Sequence, residues 1–379
     1  MRTGMANLPL HYGKAPPWLF EKMKNLAREI TIFVVSEFGP DEMLKKLSDP
    51  FWFQAFGSVL GFDWHSSGLT TTVCGALKEA LKGSEKDFGL FIAGGKGRTS
   101  RKTPSEIEEF GSLISTDPAK LVYASKMAAK VDNNALQDGY QLYHHTFIFT
   151  ARGSWSVIQQ GMNPANRFAR RYHWLSEGVR DFVCEPHSAI CGDKKGAARN
   201  MVARESEEAR KTSTLLAQEK PATLLKDLEK IKTLDLPARH EVLVQDVHPE
   251  RIKKIFLKTY ERKPENFEQL LGMKGVGAKT IRALTLISEL VYGTAPSFQD
   301  PVKFSFAHGG KDGYPYPVDK ENYENSIEIL TKALAQARLG STDKLKALKK
   351  LNAFYSRSYL KQTPASRSNL DNLPASIRK

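Results

Sequence analysis

The run Leu270-Leu271-Gly272-Met273-Lys274-Gly275-Val276-Gly277-Ala278-Lys279-Thr280-Ile281-Arg282-Ala283-Leu284 constrains the fold more than any other stretch. Apolar residues at helical spacing flank a glycine-bearing break, which predicts two helices joined by a tight hairpin. Glycine takes backbone angles closed to residues with a side chain. The second helix should begin near Ala278, leaving free amides and the positive end of the helix dipole exposed. Such an end suits a phosphate, and glycine lets the phosphate approach the backbone closely. Lys274, Gly275, Val276, Gly277, Lys279 and Thr280 are therefore expected to form a nucleic-acid-binding turn. Val276 should plug it from within, while Ile281, Leu284, Ile287 and Val291 face a core.

The charge balance points to a polyanionic partner. Lysine and arginine number 56 against 42 acidic residues, a net charge of +14, and such an excess attracts nucleic acid. DNA is the expected partner, with RNA left open. A 379-residue chain with 41% hydrophobic residues has the means to bury real cores and exceeds one typical domain. It shows no apolar run of bilayer length and no signal-peptide core, so no membrane partner is expected. With three cysteines, too few for a disulfide framework, the expectation is a cytoplasmic protein. Abundant lysine, arginine and glutamate are compatible with a thermophilic source. Oligomeric state is not legible.

Along the chain, the pattern predicts an α+β fold: a mixed α/β domain over 1–192, then an all-α domain holding the hairpin. Residues 17–48 read as helix broken at Gly39-Pro40. Pro50 to Gly61 is aromatic-rich and suits a core or a lid. A helix follows Ser67, with Ser67 or Thr70 as its cap. Phe88 to Ala93 reads as a buried strand, and Ser115 to Lys130 as a helix opened by Asp117-Pro118. Leu142 to Thr150 and Trp155 to Gln160 form a predicted hairpin around Ala151-Arg152-Gly153-Ser154. Residues 193–230 read as a charged helical connector, 231–360 as the helical domain, and 361–379 as a flexible basic tail.

Several groups carry candidate chemistry. Asp138 precedes the first strand of the hairpin, His144 lies within that strand, and Gln159 ends its partner. They are candidate catalytic residues, with Asp138 and His144 as ligands of a magnesium or manganese ion that would polarise a phosphate. Asp63, Asp132, His65 and His145 are further candidates. The alternative is a turn-capping aspartate and ordinary strand histidines. Lys96 and Arg98, in Gly94-Gly95-Lys96-Gly97-Arg98, could contact phosphates or form a solvated loop. Arg170 and Arg171, interleaved with Tyr172, His173 and Trp174, suit phosphate contacts with base stacking. They equally suit an amphipathic helix packing its aromatics inward. Cys184, His187 and Cys191 offer three zinc-capable side chains, one fewer than structural zinc takes.

Three resemblances add to this reading. The hairpin resembles the helix-hairpin-helix motif of proteins that grip DNA backbones without reading sequence. Within that class, Gly275-Val276-Gly277-Ala278-Lys279-Thr280 resembles the setting of the Schiff-base lysine in helix-hairpin-helix DNA glycosylases. The resemblance implies Lys279 as nucleophile and Asp300, in Gln299-Asp300-Pro301-Val302-Lys303, as its activator. Finally, Gln137-Asp138-Gly139-Tyr140-Gln141-Leu142-Tyr143-His144-His145 and Trp155 to Asn163, followed by Ala169-Arg170-Arg171-Tyr172-His173-Trp174, resemble domain-of-unknown-function family 763 of archaea and thermophiles. That family implies no particular chemistry. The expected function is DNA repair or processing by a metal-dependent nuclease. A base-excision glycosylase or lyase and a non-catalytic binding module are the alternatives.

Overall fold

The computed structural model describes residues 15–62, 67–192, 195–234, 249–302 and 320–359. In chain order the elements are α1 (Pro17–Phe38), α2 (Pro40–Ser48), α3 (Pro50–Leu60), α4 (Gly68–Leu81), α5 (Glu85–Phe88), β1 (Leu90–Lys96), α6 (Thr103–Glu109), α7 (Pro118–Lys130), β2 (Leu136–Gln137), β3 (Gln141–Thr150), β4 (Trp155–Asn163), β5 (Phe168–Leu175), β6 (Ala189–Cys191) and β7 (Arg199–Asn200). After them come α8 (Glu207–Leu216), α9 (Pro221–Lys232), α10 (Pro249–Arg262), α11 (Phe267–Gly272), α12 (Ala278–Tyr292), α13 (Lys320–Gln336) and α14 (Ser341–Tyr359). The punctuation is chemical. Proline opens α1, α2 and α3, where its missing N–H costs nothing. Asp49 and Asp117 cap α3 and α7 by accepting backbone N–H bonds. Ser67 precedes α4 without making a side-chain cap, so the expected cap is absent there.

Five antiparallel strands form the central sheet in the order β1-β3-β4-β5-β6. Both faces are covered, so the strands lack a polar side. Phe91, Phe147, Phe149, Val157 and Trp174 join one apolar cluster, shared with α7 to α12. Leu90, Ile92, Ile148 and Ile158 join the other, shared with α1 to α4, α13 and α14. The mixed α+β class is as expected, but the cores do not follow the boundary drawn at residue 192. Leu216, Leu224 and Leu228, read as connector, lie in the same cluster as Leu270, Val276, Ile281 and the sheet. The helical residues 249–292 thus pack onto the sheet rather than around a core of their own.

Arg167 to Trp174 changes character altogether. Instead of a helix or an open nucleic-acid face, residues 168–175 are a buried strand of the sheet. Val291, expected inward, is 48% exposed at the end of α12. Asp63 and His65 and the tail 361–379 lie outside the described residues. Among the described residues no helix is long and apolar enough to cross a membrane.

Candidate functional site

The glycine-bearing stretch forms a turn over residues 273–277 between α11 and α12. Asn266 caps α11 by accepting the Gln269 N–H at 2.8 Å. Gly275 has φ of +100°, a conformation that strains any side chain, while the nearest neighbour of a β carbon there, Ile255 Cδ1 at 2.8 Å, is the end of a side chain that can move. Gly277 is different: its φ of −136° is open to any residue. A β carbon at Gly277 would meet only Asn134 Oδ1, at 4.0 Å. What the second glycine preserves is an open approach to the backbone. Val276 is buried and plugs the turn.

The back of this hairpin is held by α7 and the turn that follows it. Lys130 Nζ donates to the carbonyls of Leu271 at 2.6 Å, Met273 at 2.8 Å and Val276 at 3.2 Å. Asn134 Oδ1 accepts the Ala278 N–H at 3.1 Å, so the first amide of α12 is satisfied within the protein. The Gln137 amide donates to the Ala278 carbonyl at 3.0 Å and accepts from Arg282 Nε at 3.0 Å. The Thr280 N–H returns to the Gly277 carbonyl. Of the expected phosphate-gripping residues, Val276 and Thr280 therefore point inward, while Lys274, Gly275 and Lys279 are exposed. Burial lowers the Lys130 pKa, yet the three carbonyls need its protons. Lys130→Met should cost about 1–3 kcal/mol of stability through carbonyls left without their charged donor. Hydrogen exchange should rise first at residues 271–280.

Asp138 sits in a structural ion pair. Its Oδ1 accepts the Tyr140 N–H at 3.0 Å, and its Oδ2 accepts from Tyr172 OH at 2.7 Å and Arg170 Nη1 at 2.7 Å. Arg170 Nη2 reaches Asp300 Oδ2 at 2.7 Å. Asp300 Oδ2 also accepts the Gly196 N–H at 2.8 Å. Burial opposes the charge of Arg170, but Asp138, Tyr172 and Asp300 outweigh it and hold the guanidinium above its ordinary pKa. The two carboxylates assigned to two rival mechanisms are thus partners of one buried arginine. Asp138 does not fit as a metal ligand in this arrangement, because its oxygens are already spoken for.

His144 stands apart from Asp138. Its Nε2 bonds Thr146 Oγ1 at 2.9 Å, and burial, with His145 and Lys96 nearby, drives its pKa down to about 3. Arg171 is buried against Phe53, with Nε on His173 Nε2 at 2.8 Å and Nη1 on Gln54 Oε1 at 3.3 Å. Neither Arg170 nor Arg171, at 1% and 2% exposure, can reach a phosphate backbone. Lys96 and Arg98 remain exposed at the end of β1 and just beyond it. Cys74 and Cys191 are buried, and burial lifts the Cys74 thiol to about 12. Among the described residues no three His, Cys, Asp or Glu side chains are grouped to hold a metal ion.

Gln159 belongs to a chain of buried polar groups that crosses the sheet. Asp132, in the wide turn Val131–Ala135 after α7, is wholly buried. Its Oδ2 accepts from Gln159 Nε2 at 2.5 Å and Trp174 Nε1 at 3.0 Å, and its Oδ1 bonds His187 Nε2. Gln159 Nε2 also donates to the Ala128 carbonyl at 3.2 Å, which turns its Oε1 toward His145 Nδ1, 2.8 Å away. His145 Nε2 then lies 2.8 Å from Ser125 Oγ. Ser125 and His145 line a cleft of about 290 Å³, with Arg101, Lys126, Asn133 and Tyr143 among its other walls. Sequence reading included His145, Asp132 and Gln159 as separate candidates. It missed Ser125, which looks like any small residue on the inner face of a helix.

No curated protein and no solved structure matches the chain. The family model described as a protein of unknown function (DUF763) matches residues 4–318. That match spans well over half of the chain, which therefore belongs to the DUF763 family.

Proposed function

We propose that this chain binds nucleic acid by its phosphate backbone, DNA before RNA, and acts in DNA repair or processing. The observation that carries the reading is the outward face of the hairpin. Lys274, Gly275 and Lys279 are exposed around a glycine turn, while its other face is bolted to α7 by Lys130 and to the turn after α7 by Asn134. A rigidly mounted turn with cations and open backbone grips phosphate without reading bases. The net charge of +14 adds long-range attraction. The nuclease reading through a magnesium or manganese ion at Asp138 and His144 draws less support, since each has other partners. The lyase reading draws less as well, with Asp300 held by Arg170.

Fluorescence anisotropy against duplex, single-stranded and RNA oligonucleotides at several salt concentrations tests the proposal. The Lys274→Glu/Lys279→Glu double variant should bind at least about tenfold more weakly and lower the salt slope by about two, one for each lost phosphate contact. Its melting temperature should stay within a degree or two of the parent, since both side chains are at the surface. Equal affinity of parent and variant at low salt would remove the hairpin from the interface.

A further inference from the structure

We infer that Ser125 is a nucleophile activated by His145, and that the cleft they line takes a phosphodiester. The hydrogen-bond directions carry the first half. Gln159 Nε2 must donate, because it faces the Asp132 carboxylate at 2.5 Å and the Ala128 carbonyl at 3.2 Å. Gln159 Oε1 therefore accepts, and the partner facing it at 2.8 Å, His145 Nδ1, carries the proton. That leaves the lone pair of His145 on Nε2, aimed at Ser125 Oγ 2.8 Å away. The serine hydroxyl donates into a free base, and a third group locks the base in its tautomer and orientation. Burial lowers the pKa of His145, so the imidazole stays unprotonated and available as a base around neutral pH. The proximal third group is a neutral amide, and the carboxylate stands one bond further out at Asp132.

The surroundings carry the second half. Arg101 and Lys126, both exposed, stand on the cleft, and among the described residues no acidic side chain lines it. A cationic mouth favours an anionic ester and would stabilise the charge that builds on its oxygens. The cleft also adjoins the hairpin. Asn133 lines the cleft and donates from Nδ2 to Asn134 Oδ1 at 3.3 Å, the same oxygen that accepts the Ala278 N–H. The choice of a phosphodiester rests on the proposed binding of nucleic acid; the nucleophile does not.

In the reaction, Ser125 Oγ bonds to phosphorus as its proton passes to His145 Nε2. The bond from phosphorus to the leaving oxygen breaks, and that oxygen takes the proton from His145. Water then gives a proton to His145 and attacks phosphorus. The Ser125 Oγ–phosphorus bond breaks, and Oγ recovers the proton. The net change is a phosphodiester and water to a phosphomonoester and an alcohol.

Diisopropyl fluorophosphate tests the nucleophile on the intact chain, with the adduct located by peptide mass spectrometry. One adduct on Ser125 is expected. His145→Gln, checked for a parent-like circular dichroism melt, should label about 100-fold more slowly. Ser125→Ala should abolish turnover of bis(4-nitrophenyl) phosphate. An unmodified Ser125, or labelling as fast in the thermally unfolded chain, would overturn the nucleophile. Turnover of 4-nitrophenyl acetate without any phosphodiester turnover would overturn the substrate class. The probe carries no nucleotide, so a hairpin that fails to bind nucleic acid leaves the labelling result untouched.

Discussion

Between pH 7 and pH 5 the protein should lose about 4 kcal/mol of stability. Three histidines are buried within the sheet: His144, His145 and His173, at 1%, 6% and 0% exposure. Burial lowers the pKa of all three below the ordinary 6.5, to about 3 for His144 and well down for His173. Their hydrogen bonds say the same. His173 Nε2 accepts from Arg171 Nε at 2.8 Å while Nδ1 faces the Leu47 carbonyl at 3.1 Å, so a second proton has no place. As pH falls below 6.5 the unfolded chain takes up protons that the folded chain refuses at His144 and His173 and resists at His145. Stability therefore falls with pH, and the two protons excluded at His144 and His173 alone give a limiting slope of about 3 kcal/mol per pH unit. It continues until the folded imidazoles themselves titrate, near pH 3 for His144. A domain holds only about 5–15 kcal/mol in reserve. Urea midpoints at pH 7.5, 6.5 and 5.5 should drop steeply, and a flat profile would mean these histidines carry charge in the folded state.

Those same histidines show what the sequence hides. Helices were legible because their ends are marked by local chemistry: Gly39-Pro40 separates α1 from α2, and Asp117 caps α7. The β3–β4 hairpin was legible because its β-branched and aromatic residues flank a glycine turn. In β5 the signal inverted. Arg170, Arg171 and His173 resemble a solvated surface, yet each is buried on partners distant in the chain: Asp138, Gln54 and Leu47. Sequence spacing carries no trace of such pairings. Likewise α8 and α9 looked like a connector because charged residues outnumber their stripe of Leu216, Leu224, Leu228 and Ile231, and only that stripe meets the core. The hairpin glycines were read together, although position alone separates Gly275, which needs its angle, from Gly277, which does not. In the candidate site, residue types suggested chemistry for Asp138 and Asp300; the tertiary partner decides their role, and both met Arg170.

Arg170→Met should destabilise the protein by about 3–5 kcal/mol, because it leaves buried carboxylates without the charge that holds them. The side chains of Asp138 and Asp300 are 1% and 4% exposed, so water cannot replace the guanidinium. The variant should recover part of the loss as the pH falls, since burial already pushes the Asp138 carboxyl up and protonation neutralises it. Asp138→Ala should cost a similar amount, because it takes a carboxylate from the buried guanidinium over Tyr140 and leaves the Tyr172 hydroxyl without that acceptor. This bears directly on the nuclease reading: lost cleavage in Asp138→Ala would follow from lost folding alone. A double-mutant cycle separates the two cases. If the ion pair is structural, Arg170→Met/Asp138→Asn will be less destabilised than the sum of its single variants, with a coupling of about 2 kcal/mol or more. Any change in cleavage will then track the urea midpoint. Should Asp138→Asn abolish cleavage at an unchanged midpoint, Asp138 acts on substrate, and the ion pair seen here must open before it does.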